Sequence, residues 1–303
     1  MNSKTRVLSL DGGGVRGVFA AAFLAHVEKY VPCRLVDHVE LLTGTSTGSI
    51  IALGLAADLS AQEILEAYRE AGPRVFPRPA GLLRRLLHPP HDQAALKAWL
   101  EKTFGGRRLK AARKPVAIPT FDAETGQAKV LKSSHHADLH TGGDKRMVEV
   151  ALASSAAPTY LPAVQVEGHG AFLDGGLWAN NPSMVGIIEA HRYLGAPLDS
   201  IRVLSVGTGR RKVWLAYRQV QHAGIAFWAK RMVDFVFDAQ SVAASEEARL
   251  LLPKGAYHRV DVELPRNIGL DDCRELESLM HLGATEGERH LKAVERLLEL
   301  RRR

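Results

Sequence analysis

A chain of 303 residues with 46% apolar and 24% charged positions can bury a sizeable core and is too apolar for a disordered polymer. Its formal charge of +7 favours phosphate-bearing partners such as anionic lipid, nucleotide or nucleic acid without choosing among them. The two cysteines, Cys33 and Cys273, stand far apart and outside any CxxC spacing, which argues against a disulfide framework or a cysteine metal site.

The opening MNSKTRVLSL has no apolar signal-peptide core, and no apolar run reaches the roughly 20 residues of a membrane-spanning helix, so a soluble, cytoplasmic protein is expected. RVLSL at 6–10 predicts a strand closed by DGGG, and helical periodicity through Val18, Ala22, Leu24 and Val27 predicts a helix over 15–30. HVELLTG at 38–44 predicts a second strand, and TGSIIALGLAAD at 47–58 a helix starting just after Ser46. Two successive βα units imply adjacent parallel strands joined by a right-handed crossover. Further strands are expected at 115–121, 128–133, 171–174 and 201–209, with helices between several of them. The fold class is therefore α/β, with a central, mostly parallel sheet flanked by helices. The Pro-, Gly- and Arg-rich stretch 71–92 is expected to be a cap or insertion in one domain spanning 1–303, since no second self-contained pattern follows it. Residues 214–303 are expected to be helical, with the terminal RRR a solvated helix end.

Two glycine turns and one aspartate carry the chemistry. DGGGVRG runs from Asp11 to Gly17, and Gly12, Gly14 and Gly17 satisfy GxGxxG. A glycine turn entering a helix presents N–H groups to an anion, either a pyrophosphate or the oxyanion of acyl transfer. GTSTG, with Gly44 and Gly48 around Ser46, fits G-x-S-x-G, which holds a serine hydroxyl on a tight strand-to-helix turn. Ser46 could equally be a helix N-cap. AFLDGGLWANNP puts Asp174 at a strand end before Gly175 and Gly176, as a displayed carboxylate or an ordinary Asp-Gly turn. His222, His258, His281 and His290 come late enough to serve a triad, but none stands in a glycine-punctuated strand end.

DGGGVRG, GTSTG and DGG in this order resemble the patatin-like phospholipase family, a likeness extending through EVALASSAAPTYLPA at 149–163 and LSVGTG at 204–209. The resemblance implies a three-layer patatin-like fold and a Ser-Asp dyad, with Ser46 as nucleophile and Asp174 as partner carboxylate. It implies an oxyanion loop at Gly12, Gly13 and Gly14, completed by Asp11, Arg16 and Gly17, and a mechanism without metal or other cofactor. DGG stands where many members have DGA. The implied reaction is release of fatty acids from membrane phospholipid through an acyl-enzyme. The alternatives are an inert nucleotide-binding protein using the GxGxxG loop and a Ser-His-Asp triad esterase.

A lipid substrate calls for transient contact with the inner face of the membrane. Phe227, Trp228, Phe235 and Phe237 beside Lys230 and Arg231 suit an interface, although a mostly apolar helix also suits a core. The segment 81–90 is either a docking segment or a cap. The chain also resembles cyclic-nucleotide-activated phospholipase effectors of antiphage signalling, which implies a cyclic dinucleotide activator and no nucleic acid polymer. The basic charge, His135, His136 and the arginines at 84, 85, 107 and 108 are compatible with such a ligand or with solvated faces.

Overall fold

The structure, a computed structural model, describes residues 4–31, 33–76, 91, 93–139, 143–210, 215–229, 231–266 and 268–300. Among these, eight strands form one sheet: β1 (Thr5–Leu10), β2 (Leu41–Gly44), β3 (Val116–Asp122), β4 (Gln127–Lys132), β5 (Val164–Val166), β6 (His169–Asp174), β7 (Ile201–Val206) and β8 (Tyr257–Val260). Their order is β5-β6-β3-β2-β1-β7-β8, with β4 paired to β3 off that path. The run β3-β2-β1-β7-β8 is parallel, and β4, β5 and β6 add antiparallel pairs at one side.

Strand alternation divides the core between two helical layers. Leu8 and Leu10 of β1 face α1 (Gly17–Tyr30), α2 (Thr47–Ala56), α3 (Ala61–Val75) and a C-terminal helix, α11 (Leu276–Leu298). Val7 of β1, Leu41 of β2 and Val203 of β7 face the opposite layer, α7 (Ser183–Tyr193) and α10 (Met232–Leu251). The helices α4 (Gln93–Phe104), α5 (Met147–Ser154), α6 (Gly176–Ala179), α8 (Tyr217–Val220) and α9 (Ile225–Ala229) complete the assignment. α11 lies directly on α1: a Cβ on Gly283 would stand 2.3 Å from the Phe19 carbonyl oxygen, so only glycine permits that approach.

The expected βα units are present, with β1 and β2 adjacent and parallel. The C-terminal region is not wholly helical, because β8 adds a strand at the edge of the sheet. Of the 71–92 stretch, residues 71–76 finish α3 and its C-cap. Residues 77–90 and 92, which include Arg84, Arg85 and the 81–90 segment, lie outside the described residues, as do Lys230 and the terminal 301–303. No helix of the described residues is long and apolar enough to cross a membrane.

Candidate active site

Strand register brings the three sequence motifs together. Leu10 pairs with Gly44 on one side and Val206 on the other, so β1, β2 and β7 end in line. The loops after them therefore open at the carboxyl edge of the parallel sheet, where α/β folds build their sites. Asp174, at the end of β6, pairs with Thr120 of β3 at that edge.

Ser46 sits at the N-cap position of α2 but makes no side-chain cap hydrogen bond. Its backbone, at φ 54 and ψ −122, is a strained conformation for a residue with a side chain, costing of order 1–3 kcal/mol. Contacts on every side hold the turn. The Ser46 N–H donates to Ser154 Oγ at 3.0 Å, Ser49 Oγ donates to the Ser46 carbonyl at 2.6 Å, and Ser154 Oγ donates to the Pro119 carbonyl at 2.7 Å. A Cβ at Gly48 would lie 2.2 Å from the Leu10 carbonyl oxygen, so the elbow can press against β1 only with glycine there. The turn thus spends its polar backbone on position and leaves the hydroxyl out of capping.

The Gly12–Gly14 loop is anchored by groups that leave two donors over. The Gly12 N–H donates to the Asn180 carbonyl at 3.0 Å, and the Val15 N–H to the Leu270 carbonyl at 2.8 Å. Among the described residues the N–H groups of Gly13 and Gly14 donate to nothing. Arg16, buried, donates to the carbonyls of Gly13 and Gly209 at 3.4 and 3.1 Å, fixing the loop from its carbonyl side. Asp11 is gripped by Arg259 through two hydrogen bonds of 2.8 and 2.6 Å, and burial nevertheless pushes its carboxyl up to about 6. The room for a Cβ at Gly12, Gly13, Gly14 and Gly17 is filled by Asn180, Thr208, Leu270 and Thr47. Packing against protein accounts for these glycines, and an ideal Cβ on Gly12 would come within 3.2 Å of Ser46 Cβ.

Asp174 is fully buried. Its Oδ1 accepts from the Gly176 N–H at 2.7 Å, which is the Asp-Gly turn, while among the described residues Oδ2 closes no well-formed hydrogen bond. Burial pushes its carboxyl up to about 7, opposed by the Gly176 N–H and by the Ser46 hydroxyl, which is close enough to favour the ionised form. The Ser46–Asp174 contact is therefore present but loose, as in many sites without substrate. Both residues floor an apolar cleft enclosing ≈ 700 Å³ of empty space, open mouth included. Tyr68 and Val75 of α3, Leu96 and Trp99 of α4, and Phe237 of α10 form its walls.

The structure sends other candidates elsewhere. Among the described residues no histidine lines the cleft. His258 and His290 hydrogen-bond to each other at 3.0 Å, His281 meets Thr285 on its own helix, and His222 is exposed. His135 is buried between Ser133 and Glu189 at 2.9 Å each, tying the end of β4 to α7. His136 pairs with Asp138, Arg107 with the Thr103 carbonyl, and Arg108 with the Asp144 carbonyl. Phe237 faces the cleft and is not part of an outer apolar surface. Ser154, Ser155 and Asn180 lie in quoted motifs that assign them no role: Ser154 braces the elbow, the buried Ser155 Oγ lines the cleft with no hydrogen-bond partner among the described residues, and the Asn180 carbonyl holds Gly12. The run of small residues in ASSAAP and the turn-forming NNP were the available signals.

The patatin-like phospholipase family model matches residues 8–187, a span that includes both glycine turns and Asp174. A cGAMP-activated phospholipase of Pseudomonas aeruginosa is 32% identical over 285 residues, covering 92% of this chain and 84% of that protein. Proteins of the same description from Vibrio cholerae and Escherichia coli are 35% and 34% identical over 69% and 68% of this chain. The chain spans slightly less than two thirds of their own lengths, 65% and 62%. With more than half of its length matched by one family model, the chain belongs to the patatin-like phospholipase family.

Proposed function

We propose that the chain hydrolyses acyl esters of membrane phospholipid with Ser46 and Asp174, and that a cyclic dinucleotide raises this activity. One observation carries the chemistry: a fully buried aspartate, its carboxyl pushed up to about 7, beside a serine held in a strained turn at the floor of an apolar cleft. An ordinary aspartate near pH 3.9 is too weak a base for a serine hydroxyl, and burial removes that weakness.

Asp174 takes the Ser46 proton as Oγ attacks the acyl carbonyl. The oxyanion that forms rests on the N–H groups of Gly13 and Gly14, since Gly12 already donates to Asn180. The proton passes to the departing lysolipid alcohol, leaving an ester on Ser46. Water then gives a proton to Asp174 and attacks that ester, and the fatty acid leaves as Ser46 recovers its hydrogen. The apolar walls take the acyl chain. Each methylene left in water would cost about 0.8 kcal/mol, so a chain leaving a bilayer needs an unbroken apolar path. Exposed Tyr217, Ile225 and Met232, close in sequence to the edge-to-face rings of Phe227, Trp228 and Phe235, support docking on the inner face of the membrane. Activation by a cyclic dinucleotide is supported by the relatives described as cGAMP-activated.

The test incubates the protein with mixed phospholipid vesicles, with and without cyclic dinucleotides, and identifies the products by mass. Fatty acid and lysolipid should appear, increase with one of the nucleotides, and fall by about a thousandfold or more in Ser46→Ala. Undiminished release by Ser46→Ala would refute the assignment.

A further inference from the structure

A second cavity, polar and enclosing ≈ 860 Å³ with its open mouth, lies between β8, the residues following β7, and α10. Three arginines line it: Arg210, Arg249 and Arg259. Arg210 and Arg249 are largely exposed; among the described residues Arg210 pairs with the buried Asp261 at 3.4 Å and Arg249 with Glu246, and both carboxylates lie in the same cavity wall. The exposed Arg249–Glu246 pair is worth no more than about 1 kcal/mol, so a phosphate can take over the Arg249 guanidinium at little cost, while Asp261 is shared between Arg210 and Arg259 and the Arg210 side chain stays half exposed to a phosphate. Val242, 45% exposed, and the Tyr257 ring offer apolar surface in the same wall.

The cavity touches both anchors of the oxyanion loop. Arg259, in its wall, holds Asp11, the residue before Gly12. Ser241, also in its wall, accepts from Asn180 Nδ2 at 2.9 Å, and the Asn180 carbonyl holds the Gly12 N–H at 3.0 Å. Helix α10 is common to both cavities, contributing Phe237 to the cleft and Ser241, Val242 and Ser245 to the polar wall. Phe237 and Ser241 are one helical turn apart on the buried face, so displacement of α10 by an occupant moves the cleft wall too.

We propose that this cavity is the effector site, where the phosphates of a cyclic dinucleotide bind Arg249 and Arg210 and occupancy resets the Gly12–Gly14 loop through Arg259 and α10. This assignment rests on the activation reading given above. Oxyanion donors act only when aimed at the developing charge, so a small displacement of the loop suffices to change rate. The two anchors make that displacement a property of the cavity.

The test compares wild type, Arg249→Glu and Val242→Trp. It measures cGAMP binding by calorimetry and activation of fatty acid release by cGAMP, by inorganic phosphate and by vesicles enriched in anionic lipid. Arg249→Glu reverses one charge contact and Val242→Trp fills the cavity, both from exposed positions, so thermal melting should follow wild type. Each should weaken cGAMP binding roughly tenfold or more and abolish activation at a concentration that half-activates wild type. Wild-type response in both variants overturns the site. So does activation by phosphate alone, or an Arg249→Glu defect confined to the dependence on anionic lipid, which would make this a headgroup site. A wild-type protein that hydrolyses lipid but neither binds nor responds to cGAMP removes the activation reading, and this site with it.

Discussion

In the proposed mechanism Asp174 links function to stability through one proton. The base acts ionised, so kcat/KM should rise about tenfold per pH unit below a midpoint near 7 and level off above it. The same burial acts against the fold. Below pH 3.8 the carboxyl is protonated in folded and unfolded chains alike, and nothing is lost. As pH rises the unfolded chain ionises first, and stability falls until the folded carboxyl also ionises above about 7. A rise from 3.8 to about 7 corresponds to about 4 kcal/mol lost at pH 8. Asp174→Asn can keep the bond from Gly176 without carrying charge. It should therefore lose hydrolysis by about a thousandfold or more, yet melt higher than wild type at pH 8 and equally at pH 3. A variant that melts lower than wild type at pH 8 would show that the carboxylate is not held against its solvation.

The last turn of α5 joins elements that the chain keeps far apart. Ser154 receives the Ser46 N–H through its side chain and the Gly175 N–H through its carbonyl at 3.3 Å, and donates to Pro119 of β3. Ser154→Ala removes the side-chain bonds and leaves the buried Ser46 N–H without a partner, at about 1–3 kcal/mol of stability. Because Ser46, the proposed nucleophile, loses its aim while Asp174 keeps its surroundings, kcat should fall roughly 10- to 100-fold with KM and the pH midpoint unchanged. A shifted midpoint would place Ser154 in the electrostatics of Asp174 instead. This brace marks where sequence reading stops. β1, β2 and the turns after them are legible because strands buried on both faces read as apolar runs between glycines, and DGG exposes Asp174 in the same way. Ser154 is 108 residues from Ser46, and nothing local marks the pairing. β8 is hidden because His258 and Arg259 interrupt its apolar pattern, and Arg259 is tolerable there through Asp261 beside it and Asp11, 248 residues away. That the Gly12 N–H is bonded to the Asn180 carbonyl, while those of Gly13 and Gly14 donate to none of the described residues, is likewise a property of the assembled loop.

At the scale of the whole molecule, and on the proposed function, the cleft receives an acyl chain that begins in a bilayer. Helix α10 carries Phe237 in the cleft wall and begins at Met232, 49% exposed, while α9 just before it begins at Ile225, 89% exposed. The exposed apolar group therefore lies along the same short path of chain as the cleft wall, with the Arg231 guanidinium 4.0 Å above the Phe227 ring. The net charge of +7 adds attraction to anionic lipid that salt can screen. Full burial of one isoleucine is worth about 1.5–3 kcal/mol, so replacing Ile225 by a carboxylate should weaken vesicle binding by about tenfold or more. Ile225→Asp should cosediment poorly with anionic vesicles and lose a similar factor in vesicle hydrolysis at limiting lipid, yet cleave a soluble short-chain ester at the wild-type rate. Salt at about 0.5 M should weaken vesicle hydrolysis by wild type and spare the soluble ester. Equal loss on both substrates would assign Ile225 to the integrity of the site. Undiminished vesicle hydrolysis would move the docking surface to another face of the protein.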